Sequence, residues 1–308
     1  MADRVFRIGT RASALALWQA NWVADALRGN GHDVAIVEVT TSGDQSQASP
    51  LRGFGGVGVF VKELETALLD ATVDLAVHSL KDLPTDRVAG LRLGAVPKRA
   101  AVDDVLISHS GRSLEDLPAG TVIGTGSARR RAFLAHQRND LRMAEIRGNV
   151  DTRLKKVAAH EYDAIVLAAA GLERLGRADR ITERLPLEWM LPAVGQGALG
   201  IEIREDDKAT LAIAQELDDA ESHAAVLAER AMLAALRAGC LAPVGGWARV
   251  EQETLRMSAA VASLDGSTRV DVEGEGDPSN AEELGQDLAD QLLRQGADDI
   301  IAAAREQT

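Results

Sequence analysis

Short apolar runs alternate with helix-period segments along most of this chain, and that alternation limits the possible folds more than any other feature. Arg4 to Gly9 reads as a strand, and Ser13 to Arg28 as a helix with Leu15, Leu17, Trp18, Trp22, Val23 and Leu27 as its apolar residues. Gly29-Asn30-Gly31 ends it, and Val34 to Val39 is the next strand. Val59 to Leu69 returns to helix, and Val73 to Val77 has the character of a buried strand. After Pro97 a second series begins, with strands near Val105–Ile107, Thr121–Gly124, Arg142–Ile146 and Ala164–Leu167. Helices near Ser127–Gln137 and Val150–Ala159 lie between them. This pattern predicts two doubly wound α/β domains.

Leu199 to Ile203 is a strand able to rejoin the first domain, and helical patterns follow at about Asp207–Leu217 and Glu221–Leu236. Three strand-like runs, Gly245–Val250, Leu255–Ala262 and Thr268–Gly274, then precede one or two helices from Asn280 onward. The expected division is 1–98 with 196–218, then 99–195, then a small α+β domain over 219–308. No internal repeat or low-complexity segment interrupts it. Residues 40–58 hold five glycines and little periodicity, which marks a functional loop rather than scaffold.

The charge is uneven. The chain carries −13 overall, but residues 1–200 have 25 basic and 24 acidic side chains, whereas 201–308 have 9 and 23. Within 121–160 nine basic residues stand against three acidic ones. Either this is a solvated basic face or it is a site for a small anion. The acidic total disfavours a polyanion partner, and 3% aromatic residues disfavour a single-strand nucleic-acid binder. One cysteine excludes an intrachain disulfide and any multi-cysteine metal site. The six histidines form no metal-binding spacing, so no metal is expected. The first residues lack an apolar signal core, and no apolar run is long enough to cross a bilayer, so a cytoplasmic protein is expected.

Four stretches put basic or hydroxyl residues just after a strand, at or near a helix start. They are Gly9-Thr10-Arg11-Ala12-Ser13, His78-Ser79-Leu80-Lys81-Asp82, Gly124 to Arg131, and Arg147-Gly148-Asn149-Val150-Asp151-Thr152-Arg153. In open α/β sheets ligands bind at the carboxyl ends of strands, and helix N-termini present free N–H groups to anions. Capping alone accounts for any one stretch, since Ser13 and Ser127 are good N-caps in any protein. Four together go against the dipole preference, and Arg129, Arg130 and Arg131 in a first turn call for an anion nearby. A ligand with several carboxylates or phosphates fits. No Gly-x-x-x-x-Gly-Lys-Ser/Thr loop supports a nucleotide.

Asp82, amid this positive charge, is either a turn-capping residue paired with Lys81 or a carboxylate that meets a cation formed in a reaction. Cys240, between Gly239 and Pro243 in a constrained loop, reads locally as a small buried hydrophobe. His78 reads as a hydrogen-bonded structural histidine, and Gly195-Gln196-Gly197 as either a hinge or a plain turn.

Taken in order, RIGTRASALALWQA (7–20), FVKELE (60–65), DLAVHSLKDLP (74–84), GTGSARRR (124–131), RGNVDTRL (147–154), YDAIVLAAAGLERLG (162–176), LPAVGQGALGIE (191–202) and AGCLAPVG (238–245) resemble the porphobilinogen deaminase, or hydroxymethylbilane synthase, family. The resemblance implies two periplasmic-binding-protein-like domains joined by a hinge, plus a small third domain. It implies an enzyme of tetrapyrrole biosynthesis that couples four porphobilinogen molecules head to tail, releases ammonia at each step and ends with hydrolysis to hydroxymethylbilane. A covalent dipyrromethane cofactor on Cys240, through a thioether, is implied too, and this reverses the local reading of that thiol. Asp82 matches the catalytic carboxylate. Ser13, Lys81, Thr125, Ser127, Arg129 and Arg130 match cofactor-binding positions, and Arg11, Gln19, Ser79, Arg147, Arg153 and Arg174 match substrate-binding ones. The implied partners are porphobilinogen and the growing oligopyrrole, with no nucleic acid or membrane, and the implied state is a monomer.

Two positions depart from the family pattern. Val57 stands at a usual lysine position of the glycine-rich loop, with Arg52 as a partial replacement, and Gly126 stands where serine is usual. A non-catalytic small-anion binding protein on the same scaffold is the alternative reading, favoured by an unmodified Cys240. A phosphate-ester enzyme, favoured by a Mg²⁺ requirement, is a third.

Overall fold

Phe6 and Ile8 alternate with Arg7 and Gly9 along the first strand, β1 (Phe6–Thr10), so one face is apolar and the other admits a close neighbour. The computed structural model describes residues 4–40, 61–239 and 242–307. They divide into two units, residues 1–100 with 198–223 and residues 101–197 with 224–308.

The first unit contains α1 (Ala14–Gly29), β2 (Val34–Glu38), α2 (Lys62–Leu69), β3 (Leu75–Ser79) and β4 (Leu91–Ala95). Its sheet has the order β2-β1-β3-β10-β4, where β10 is Leu199–Arg204. β1 is parallel to β2 and β3, and β10 is antiparallel to both β3 and β4. The returning strand thus enters the sheet interior. Leu75 and Val77 join Ile8, Val23, Leu27, Ile201 and Ile213 in the core under α1 and α6 (Lys208–Gln215). Ala76, of opposite parity, joins Leu64, Leu68 and Val73 under α2. Helices on both faces of one sheet make this unit doubly wound.

The second unit repeats that plan with β5 (Asp104–Ser108), β6 (Val122–Gly124), α3 (Ala128–Gln137), β7 (Arg142–Ala144), α4 (Val150–Ala158), β8 (Ala164–Ala168), α5 (Ala169–Arg174) and β9 (Glu183–Arg184). The order is β7-β6-β8-β5-β9, with β6 parallel to β7 and β8, and β5 antiparallel to β8 and β9. Ala164 and Val166 face the core of α3, while Ile165 and Leu167 face that of α4 and α5.

After α7 (Ala220–Ala235) the chain forms an antiparallel meander of β11 (Val244–Glu251), β12 (Thr254–Ala262) and β13 (Arg269–Gly276), followed by α8 (Ala281–Arg294) and α9 (Ala297–Gln307). Leu255, Met257, Ala259 and Val261 of β12 face α7, α8 and α9, whereas Ala260 and Ala262 enter the core of Phe133 and Leu134. The meander therefore shares a core with the second sheet. Arg269 lies over the Phe133 ring, and His136 Nδ1 meets Gly266 O at 2.8 Å. Among the described residues no helix is long and apolar enough to cross a membrane.

Candidate functional site

In the first unit, β1 ends at Thr10 and the chain turns through Arg11 to Ser13, whose hydroxyl caps α1 by accepting from Ala16 N at 3.3 Å. Arg11 and Ser13 are partly exposed. Gln19, one turn into α1, is buried, and its amide nitrogen has no hydrogen-bond partner among the described residues. A buried donor of this kind is costly to leave unmatched.

β3 delivers Ser79, then a 3₁₀ turn over Leu80–Asp82. Leu80 N donates to Ala198 O at 3.1 Å, and the Leu80 side chain lies on Gly200, where an added β-carbon would stand 2.5 Å from Leu80 Cδ2. With Leu80 held, Ser79 and Lys81 are partly exposed and Asp82 is exposed. A carboxylate presented in this way is open to a cationic ligand.

In the second unit, β6 ends at Gly124 and Thr125 is buried, its hydroxyl accepting from Ser127 N at 3.2 Å. Ser127 caps α3 by accepting from Arg130 N at 3.4 Å. The arginines that follow divide. Arg131 is exposed, but Arg129 and Arg130 are only 3% and 7% exposed. Both meet Asp104 of β5. Arg130 Nε and Nη2 donate to Asp104 Oδ1 at 3.1 and 2.8 Å, and Arg129 Nη1 is ion-paired with Oδ2 at 2.7 Å. Gln196 Nε2 also donates to Asp104 Oδ1 at 2.9 Å and to Val102 O at 2.7 Å. The 195–197 stretch is a turn, and its glutamine is anchored in this cluster. Burial alone would raise the pKa of Asp104, but Arg129 and Arg130 hold it well below the usual carboxylate range.

The anion that the first-turn arginines require is thus supplied in part by the protein. Two guanidiniums face one carboxylate, and Arg129 Nε, buried, has no hydrogen-bond partner among the described residues. The cluster keeps an excess positive charge and an open donor. The excess charge suits a carboxylate-bearing group, and the open donor suits an acceptor oxygen such as a carboxylate supplies.

β7 leads to Arg147, which pairs with Glu145 (Nε to Oε1, 2.9 Å), and to Asn149, which caps α4 by accepting from Thr152 N at 2.9 Å. Arg153 Nε donates to Gly148 O at 2.8 Å. Arg174 Nη2 donates to Gly197 O at 2.7 Å, and burial lowers its pKa to about 10. A β-carbon at Gly126 would come within 3.1 Å of Ile146 O, so glycine relieves a tight contact there. Arg11, Ser13, Ser79, Lys81, Asp82, Thr125, Ser127, Arg129, Arg130, Arg147 and Arg153 fall at or near the ends of strands where helical turns begin, whereas Gln19 lies within α1 and Arg174 is the last residue of α5. Cys240, Arg52 and Val57 lie outside the described residues.

Sequence reasoning missed Asp104. Its signal was an acidic pair, Asp103-Asp104, opening a run that is buried throughout as β5. Glu229 was missed as well. Fully buried on α7, it accepts from Gly195 N at 2.7 Å and Ala248 N at 2.8 Å, tying the 195–197 turn to β11.

A family model described as porphobilinogen deaminase, dipyromethane cofactor binding domain, matches residues 6–212, and one for the C-terminal domain of the same protein matches residues 223–294. The chain belongs to the porphobilinogen deaminase family. Proteins named porphobilinogen deaminase are similar along nearly their full length. That of Pelotomaculum thermopropionicum is 46% identical over 306 residues, covering 99% of this chain and 98% of the relative. That of Syntrophotalea carbinolica is 48% identical over 305 residues, 98% and 97% covered, and that of Desulforudis audaxviator 49% over 300 residues, 97% of each. Among solved structures, the BvgS VFT2 domain of Bordetella pertussis is similar over 69% of this chain and 86% of that one, at 14% identity and a TM-score of 0.41. A porphobilinogen deaminase has reason to gather arginines in an acidic protein, because its substrate and its dipyrromethane both carry carboxylates.

Proposed function

We propose that this porphobilinogen deaminase joins four porphobilinogen molecules head to tail, releasing ammonia at each addition and hydroxymethylbilane at the end, with Asp82 as its catalytic carboxylate and Cys240 as the point of cofactor attachment. The observation that carries the reading of the site is the Asp104 cluster. Its two buried guanidiniums exceed its one carboxylate, and Arg129 Nε keeps an unused N–H. A dipyrromethane with acetate and propionate groups fits that donor set, and Arg129, Arg130, Thr125, Ser127, Ser13 and Lys81 would hold it. When bound, the dipyrromethane supplies the pyrrole carbon on which the chain starts.

The protein's own residues then have separate tasks. Arg11, Ser79, Arg147, Arg153 and Arg174 bind carboxylates of porphobilinogen and of the growing chain, and Gln19 gives its buried amide N–H to the same end. Loss of ammonia from porphobilinogen leaves a cation conjugated with the pyrrole nitrogen. The Asp82 carboxylate accepts the pyrrole N–H and lowers the energy of that cation, and it receives the proton lost when the new carbon–carbon bond forms. An exposed carboxylate on a fixed turn supports this role. The same reading makes the enzyme a monomer of the cytoplasm.

Intact-protein mass spectrometry with peptide mapping tests the proposal. Added mass of two linked pyrrole units on Cys240, with ammonia and hydroxymethylbilane formed from porphobilinogen, is the expected result. An unmodified Cys240 after incubation with porphobilinogen, with no ammonia, overturns it in favour of a small-anion binding protein.

A further inference from the structure

We propose that His78 and Glu202 form a positioning dyad for the turn that presents Lys81 and Asp82. The inference rests on the function proposed for Asp82 and adds two residues to it. His78 Nε2 stands 3.1 Å from Glu202 Oε2, and the residues are 5% and 6% exposed. A carboxylate only accepts, so the imidazole N–H donates. Ala76 pairs with Glu202 across β3 and β10 and belongs to the core under α2, so the dyad lies on that face of the sheet. Among the described residues Glu65 of α2 also acts on this pair, its carboxyl pushed up by burial and by Glu202, with His78 acting the opposite way.

Three titratable groups from three elements are a poor way to stabilise a core. Desolvation offsets the attraction of a buried pair, and well-packed apolar residues of similar volume do as well or better. What such a pair supplies is register. β3 and β10 run antiparallel with Ser79 opposite Leu199 and His78 opposite Gly200. A slip of one residue turns every side chain of β10 to the other face. It would part Glu202 from His78 and bring Leu199 or Ile201 to the place where Gly200 now receives Leu80. Leu80 is the first residue of the turn, fixed through its N–H to Ala198 and through its side chain on Gly200. The dyad sets the strand, the strand sets Leu80, and Leu80 sets the two residues that follow. Neither His78 nor Glu202 needs to touch substrate for this.

The test uses the full-length holoenzyme and reads kcat, KM for porphobilinogen and thermal melting. Glu202→Leu removes the acceptor, whereas Glu202→Gln keeps a carbonyl oxygen for the imidazole. The expected result is about a tenfold fall in kcat for Glu202→Leu with KM within twofold, and kcat within about threefold of wild type for Glu202→Gln. Unchanged kcat in Glu202→Leu, a change in KM alone, or no recovery in Glu202→Gln overturns the dyad. If Glu202→Leu does not fold, His78→Gln and His78→Ala decide. The first keeps an N–H for Glu202 and must retain kcat within about threefold, while the second must lose about tenfold at constant KM. Equal kcat in these two overturns the proposal. Wild-type enzyme without deaminating turnover refutes the function itself, and an active wild type with insensitive variants refutes only the dyad.

Discussion

Gly148 and Thr152 are so close that a β-carbon on residue 148 would stand 2.7 Å from Thr152 Cγ2, and Gly148 has a φ of +110°. Space and backbone both demand glycine there. The position matters because Asn149 caps α4 through Thr152 N and Gly148 O accepts from Arg153 Nε. Gly148→Ala is expected to cost about 1–3 kcal/mol in urea denaturation and to raise KM for porphobilinogen several-fold, with a smaller effect on kcat. An unchanged KM would separate Arg153 from substrate binding.

Asp82→Asn keeps the shape and one acceptor oxygen while deleting the negative charge. Its exposure means the fold should tolerate the change, within about 0.5 kcal/mol. Turnover is expected to fall by about 10²-fold or more, in the range seen when an electrostatic stabiliser of a transition state is lost. Ammonia release under saturating porphobilinogen is the measurement, and near-normal rates would remove Asp82 from the mechanism.

The arginines at the start of α3 should respond unequally. Asp104→Ala leaves two buried guanidiniums without their carboxylate, and removing one side of a buried pair costs about 3–5 kcal/mol. Loss of cofactor mass on Cys240 should accompany the loss of stability, because Arg129 and Arg130 are no longer held. Arg131→Gln, at the exposed neighbour, should stay within about 0.5 kcal/mol of wild type. Equal destabilisation by the two variants would contradict the division of these arginines into buried and exposed.

Asp74 makes stability depend on acidity. It receives Arg7 N at 2.9 Å and Arg7 Nε at 3.0 Å, and pairs with Arg4 at 3.0 Å and Arg204 at 3.2 Å. Burial opposes ionisation, but these donors prevail and hold its pKa at about 2, below the ordinary 3.8. A depressed carboxylate stabilises the fold above its unfolded pKa, and that contribution disappears as pH falls through the folded one. Urea midpoints of the wild type should therefore drop between pH 4 and pH 2. Asp74→Asn should start lower and lose less over the same interval, and parallel losses would rule out this linkage.

The local parts of the site were legible because they are written in adjacent residues. Ser13, Ser127 and Asn149 each cap the helix that follows, as strand-to-helix junctions require. The return of Leu199–Arg204 to the first sheet followed from its apolar run, although nothing local said that it would enter between β3 and β4. Partners distant in sequence were not legible. Asp104 lies 26 residues from Arg130, and Glu202 lies 124 from His78, with no spacing rule to join them. The short strands β4 and β9 escaped notice for a different reason. Leu91 to Ala95 is broken by Arg92 and Gly94, and Glu183–Arg184 is too brief and polar to form an apolar run.

The placement of β10 has a consequence for biosynthesis on the ribosome. β3 and β4 are separated in the finished sheet by residues made about a hundred positions later. Until Arg204 has left the exit tunnel, both strands have an unpaired edge, and the first hundred residues have no complete sheet to fold into. The strand that closes this gap also brings Gly200 and Glu202. The turn that carries Lys81 and Asp82 therefore acquires its support only after the whole second sheet has been translated, and no N-terminal fragment ending near residue 100 should be able to hold it.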